Sequence, residues 1–177
     1  MEVFIEQLVK KQTDGMVTLK RVGIVLAVVL ITLFVVFFGG LLGPLQAFGF
    51  LIVVGAAYGG WYLLNMTKLE YEYINTNGDI DIDKIVAQSK RVRVCSFKGS
   101  DVEAVGRYDA SQQKNKKYAR VVNASENEND TKNTWYATYR DPKYGNTLVL
   151  FTPNEKFLES FKKSLPRPMQ ANVQLWN

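Results

Sequence analysis

Residues Leu69 to Val86 read LEYEYINTNGDIDIDKIV. Leu69, Tyr71 and Tyr73 alternate with Glu70 and Glu72, and Ile80 and Ile82 alternate with Asp79, Asp81 and Asp83. Side chains on a β-strand point alternately to opposite faces, so a two-residue period predicts strands with one apolar face. Asn77-Gly78 stands between the two runs, and that dipeptide is a strong signal for a tight β-hairpin turn. The three aspartates also raise the question of a metal site. The calcium-loop pattern places its glycine after the third acid and a glutamate at the twelfth position. Here Gly78 precedes the acids, and the twelfth position counted from Asp79 is Lys90. The expectation is therefore no metal site. The acids form the wet face of a strand, offset by Lys and Arg of a paired strand.

Upstream lies a stretch of the opposite character. From Val22 to Leu64 there is no charged side chain. A membrane span needs roughly 20 apolar residues, and this run is about twice that length. Gly39, Gly40, Gly43 and Pro44 interrupt it, and proline inside a helix removes a hydrogen bond and clashes with the preceding turn. The reading is a transmembrane helical hairpin over 22–64, with helices 22–42 and 44–64. Lys10, Lys11, Lys20 and Arg21 precede it, and Lys68, Lys84, Lys90, Arg91 and Arg93 follow, while the connecting turn carries no cation. The positive-inside rule then places the chain in the cell membrane as a multi-pass protein with both termini cytoplasmic. The absence of ionisable residues inside the spans argues against a pump or transporter. Gly23 and Ala27, Gly55 and Gly59, and Ala56 and Gly60 are small residues four apart, a spacing that lets helices approach closely. Packing within the hairpin is favoured over dimerisation. Residues 1–21 form an amphipathic N-terminal segment. Its Phe4, Ile5, Leu8 and Val9 against Glu2, Glu6, Lys10 and Lys11 fit a short surface helix, lying on the membrane or packed on the cytoplasmic domain.

Composition narrows the chemistry. The 177 residues include no histidine and one cysteine, Cys95. Without imidazole no Ser-His-Asp or Cys-His arrangement can form, a structural zinc site lacks ligands, and one cysteine cannot make an internal disulfide. Lys and Arg number 22 against 17 Asp and Glu, a net charge of +5, which suits a surface near anionic phospholipid or an ordinary basic domain.

Downstream of Val86 the two-residue period continues. KRVRVCSF, SDVEAVGRY, KYARVVNA, TWYATYR and TLVLFT read as strands, and SENENDTKN as a polar loop. The period then changes. In TPNEKFLESFKKSLP, Phe157, Leu158, Phe161 and Leu165 share one helical stripe. Thr152 and Glu155 fit a capping box with Pro153 at the first helical position, predicting a helix over 153–165. The domain is expected to span 66–177, with Leu175 and Trp176 in a tail that docks or hangs free.

Antiparallel strands followed by one amphipathic helix resemble the pleckstrin-homology-like split β-barrel over about Leu69 to Leu165. More specifically, the chain resembles a family of uncharacterised bacterial two-helix membrane proteins with a pleckstrin-homology-like cytoplasmic domain. The residues that carry the resemblance are the hairpin, Asn77 to Ile85, Lys90 to Val94, and Thr152 to Arg167. It implies an α+β membrane protein, in which a transmembrane hairpin precedes a barrel whose C-terminal helix caps one end. It brings no activity and no catalytic residues.

The function expected is a membrane-anchored, non-catalytic binding or scaffold module. The alternative is a subunit of an oligomeric membrane complex or small channel assembled through the hairpin. The expected partners are the lipid bilayer, anionic phospholipid headgroups, a protein of unidentified kind, or a second copy. Contact residues would be Lys90, Arg91, Arg93 and Lys98 on one strand, and Lys114, Lys116, Lys117 and Arg120 in a second basic run. No cofactor and no nucleic acid are expected. Tyr71, Tyr73, Trp135 and Tyr136 more often fill a core than stack on bases.

Overall fold

In the computed structural model the described residues are 3–40, 43, 46–113, 116–127 and 132–173. They divide into two compact units. One is Thr13–Lys68, and the other joins Met1–Gln12 to Leu69–Asn177.

The first unit is two helices, α1 (Gly15–Phe38) and α2 (Gln46–Met66). Both are long and apolar enough to cross a membrane, and neither is buried as a core helix would be, with 0% and 11% of their apolar windows covered. At 1.5 Å per residue they are roughly 36 and 32 Å long, against about 30 Å of hydrocarbon. Helix α1 begins at Gly15, well before the charge-free run, because the Asp14 side chain accepts the Gly15 N–H at 2.7 Å and caps it there. The expected span ends at Leu42 and Pro44 lie outside the described residues.

The helices meet along matching stripes. Val17, Arg21, Ile24, Val28, Thr32 and Val35 are half-buried on α1, and Gly49, Val53, Ala56, Gly60 and Leu64 are half-buried or buried on α2. The steps of three and four residues are those of a coiled-coil seam. Two glycines set the closest approach. A Cβ at Gly60 would lie 2.6 Å from Val28 Cγ2, and one at Gly49 would lie 2.9 Å from Val35 Cγ1. Of the small pairs singled out in the sequence, Ala56 and Gly60 serve this seam. Gly23, Gly55 and Gly59 do not, since a Cβ added at any of them would meet nothing within 4 Å.

The second unit starts with a strand, not a helix. Residues Phe4–Lys10 form β1, antiparallel to β2 (Leu69–Thr76) from Phe4 opposite Thr76 to Lys10 opposite Glu70. The helical reading of the N-terminus fails because the inward side chains are Ile5, Gln7 and Val9, while Phe4 and Leu8 stay on the outer face. Strands β3 (Asp79–Val86) and β4 (Lys90–Lys98) complete a four-stranded sheet in the order β1-β2-β3-β4. The β2–β3 turn has φ of 53° at Asn77 and 96° at Gly78, the doubly positive pair that a type I′ turn requires. Asn77 also exchanges hydrogen bonds with Val3, donating through its backbone N–H at 2.9 Å and accepting through Oδ1 at 2.9 Å, which seats the start of β1.

A second sheet contains β5 (Val102–Arg107), β6 (Arg120–Asn123), β7 (Trp135–Asp141) and β8 (Gly145–Phe151), with a short helix α3 (Ala110–Gln113) before β6. Its order is β5-β7-β8-β6. Strand β6 runs parallel to β8, so the all-antiparallel expectation is corrected there. The two sheets are open and not one continuous ring.

Helix α4 (Glu155–Ser164) closes the core and a short α5 (Arg167–Gln170) follows. Asn154 is the N-cap, accepting from the Phe157 N–H at 2.8 Å. The expected capping box at Thr152 does not form, because the Thr152 hydroxyl accepts from the Glu126 N–H instead. Phe157, Leu158 and Phe161 of α4 are fully buried with Tyr73, Trp135 and Tyr139. Phe161 stands edge-on to Phe151 at 5.6 Å, and Phe97 stacks on Tyr139 at 4.5 Å across the two sheets. Each such ring contributes roughly 1.5–3 kcal/mol by leaving water. Two buried polar side chains are paired across elements. Tyr73 Oη donates to the Ala124 carbonyl at 2.5 Å, and Asn75 Nδ2 donates to Ser160 Oγ at 2.8 Å. Helix α4 presses so closely on Gly99 that a Cβ there would overlap the Ser164 side chain.

Candidate functional site

The outer face of the first sheet is built from rows of opposed residues. Leu8, Glu72, Asp83 and Arg93 lie in one row; Lys10, Glu70, Ile85 and Arg91 lie in the next. The aspartates of the 79–83 segment find their partners here. Arg93 Nε contacts Asp83 Oδ1 at 2.6 Å, and Arg93 Nη1 contacts Asp81 Oδ2 at 2.8 Å. The hydrogen bond to Asp83 raises the already high pKa of the Arg93 guanidinium further. A bulge between Ile82 and Asp83 sets this geometry, since Cys95 opposes Ile82 but Arg93 opposes Asp83. Ile80 and Ile82 face the core, as the alternation predicts, and Asp79 is exposed, but Asp83 is buried, so the expected wet face is corrected there.

Glu72 is the most enclosed of these acids, with 1% of its side chain exposed. Arg91 Nη1 approaches Glu72 Oε2 at 2.9 Å without hydrogen-bond geometry, so charge rather than a directed bond holds the pair. Burial and a hydrogen bond to Glu6 raise the Glu72 pKa, against the pull of Arg91.

At the outer edge of β4 a third arginine closes the gap to the other sheet. Arg120 Nη2 donates to the Val94 carbonyl at 2.7 Å, its guanidinium lies 4.2 Å from the Tyr144 ring centre, and Nη1 reaches Asp141 at 4.0 Å. Burial alone would raise the Asp141 pKa, but N–H groups of Lys143 and Tyr144, the Tyr139 hydroxyl and Arg120 together lower it. Cys95 lies beneath, buried, its thiol pushed up to about 12 by burial and so held protonated.

The basic residues of the sequence therefore fall into two groups. Arg91, Arg93 and Arg120 are engaged within the unit by carboxylates, a carbonyl and a ring. Lys90, Lys98, Lys116 and Lys117 are exposed, and Lys114 lies outside the described residues. Nor do the lysines share one place. Lys90 opposes Val86 at the end of the sheet where β2 begins, and Lys98 opposes Asp79 at the far end, roughly 27 Å away at 3.3–3.4 Å per residue. The sequence placed cations of a paired strand against the aspartates, but not which arginine meets which acid, because Glu72, Asp81 and Asp83 reach their partners only through cross-strand register. The arrangement presents carboxylates neutralised by arginine and a shielded thiol. Among the described residues no three acidic or cysteine side chains converge as a metal-ligating group.

A family model described as Bacterial PH-like domain (DUF6106) matches residues 1–171, a range that includes both units from β1 to α5. No curated protein and no solved structure matches the chain.

Proposed function

Because the chain belongs to the bacterial PH-like domain family, we propose that it is a non-catalytic binding module held against the cytoplasmic face of the membrane by its helical pair. One observation carries this reading. The helices are inserted between β1 and β2, which are neighbours in one sheet. The chain leaves β1 at Lys10 and enters α1 at Gly15, then leaves α2 at Met66 and enters β2 at Leu69. At a reach of about 3.5 Å per residue, the connections extend no more than roughly 18 and 11 Å. Two such leashes support a β unit kept at the bilayer surface, with both ends of the hairpin on one side. That agrees with cations flanking the run and none between.

The module would meet its partner through the surface that the leashes leave accessible. Lys90 stands at the end of the first sheet where the chain enters β2, and exposed lysines near an anionic leaflet contribute about 1 kcal/mol each. The buried thiol, the engaged carboxylates and the absence of histidine from the sequence support a binding role over a catalytic one.

The test is fractionation of cells expressing the chain with a small tag at either end. The expected result is that it stays in membranes through alkaline carbonate washing, with both tags reached only after the cytoplasmic face is opened. Release by carbonate, or one tag accessible from outside, contradicts the reading.

A further inference from the structure

Beside the α1–α2 seam runs a groove of about 690 Å³ with an almost wholly apolar lining. It extends from Lys20 to Ile31 along α1 and from Ala56 to Thr67 along α2. Eleven steps of 1.5 Å make it roughly 16 Å long, which is one leaflet of a hydrocarbon core about 30 Å thick. Gly23 and Gly59 form its floor, and nothing lies within 4 Å of where their Cβ atoms would be. The seam glycine Gly60, filled by Val28, marks its edge. The lining holds one cation, Lys20, exposed at the mouth beside Thr67. Arg21 is fixed next to it, donating from Nε to Thr67 Oγ1 at 2.8 Å and from Nη1 to Thr13 Oγ1 at 3.3 Å.

We propose that this groove holds an acyl chain of one anionic glycerophospholipid from the cytoplasmic leaflet, with the headgroup phosphate against the Lys20 ammonium. The inference rests on the membrane-spanning reading above. Three features select this occupant. The groove is about as long as one leaflet is deep, its inner wall is almost wholly apolar, and its mouth is cationic. Basic pockets between transmembrane helices at the cytoplasmic side commonly take anionic headgroups. A second copy of the helix pair fits less well. Two copies inserted with the same orientation place equal depths opposite each other, so Lys20 would face Lys20 and the like charges would repel.

The probe is an equimolar mixture of phosphatidylglycerol and phosphatidylcholine, offered to the full chain in detergent micelles and read by native mass spectrometry. The monomer is expected to retain one phosphatidylglycerol in about fivefold preference. Lys20→Gln should bring the two lipids to parity, and Gly59→Leu, which fills the groove away from the seam, should remove retention of both. Lys156→Gln, at an exposed position of the β unit, should keep the wild-type preference. Circular dichroism of each variant identifies loss of fold, and a Gly59→Ala variant stands in for any that misfolds, with retention reduced in place of abolished. Equal retention of both lipids by the wild-type chain, a preference that survives Lys20→Gln, or a dimer dispersed by Gly59→Leu each overturns the proposal. A chain that stays monodisperse without detergent removes the membrane-spanning reading itself, an outcome distinct from a micelle-embedded chain with no lipid preference.

Discussion

In the helical unit, contact is made by glycine against valine, and rings such as Phe34 and Phe37 are 64% and 77% exposed. In the β unit the rings go inside, and Trp135, Tyr73 and Phe157 are at most 1% exposed. Two parts of one chain place their aromatic side chains by opposite rules. On the membrane-spanning reading proposed above, the difference follows from the solvent. In water the hydrophobic effect drives rings inward; in lipid that drive is absent and close backbone approach takes its place. The β unit adds what the helical unit lacks, a layer of buried acids neutralised by arginine.

The largest expected effect breaks the β side of this contrast. Phe161→Ala should destabilise the β unit by about 3–5 kcal/mol, read by denaturant unfolding in micelles, whereas Phe37→Ala should change the stability of either unit by less than about 0.5 kcal/mol. If both cost alike, Phe37 is not facing lipid. Next comes the seam. Gly60→Leu should cost the helical unit about 1–3 kcal/mol through overpacking against Val28, seen as loss of helix signal at lower dodecyl sulfate. Gly55→Leu, with open space around it, should not.

Arg93→Ala should follow, at about 1 kcal/mol, the low end for a charged pair because the Arg93 side chain is 51% exposed. The same variant should leave binding to anionic vesicles unchanged, and Lys90→Gln should do the reverse. A vesicle-binding loss in Arg93→Ala without a stability loss contradicts the assignment of Arg93 to the fold.

The smallest effect is in pH. The Glu72 pKa is raised on folding from 4.5, so the native state holds the proton more tightly than the unfolded chain. Its contribution is full below about 4.5 and is lost as pH rises through the folded value. Stability of the β unit should therefore carry a downward slope above pH 4.5 that Glu72→Gln flattens. The sign at Asp141 is opposite. Its lowered pKa gives stability above its usual value of 3.8, lost as pH falls.

How much of this was legible in the sequence follows the same division. The helical pair was legible because a charge-free run from Val22 to Leu64 has few other solutions. The turn at Asn77-Gly78 was legible because few dipeptides adopt two positive φ angles. Helix α4 was legible from its single apolar stripe, though its cap was displaced from Thr152 to Asn154. Strand β1 was hidden for two reasons. Phe4 and Leu8 on its outer face blur the two-residue period, and its partner begins at Leu69, beyond the whole helical insertion. The parallel pairing of β6 with β8 is likewise non-local. At the candidate site the cations were legible as charges. That they offset the acids of a paired strand was legible too, but not which arginine meets which acid, since Arg93 meets Asp83 only through a bulge in register.

The most direct test of the account is hydrogen exchange, resolved by segment, on the full chain in micelles. The central claim is that Phe4–Lys10 and Leu69–Thr76 are adjacent strands of one sheet with the helices inserted between them. The predicted result is that amides of residues 5–9 are protected and that their protection falls together with that of residues 69–76 as denaturant is added. Exchange of residues 5–9 at the rate of an open chain, while residues 69–76 stay protected, would contradict it.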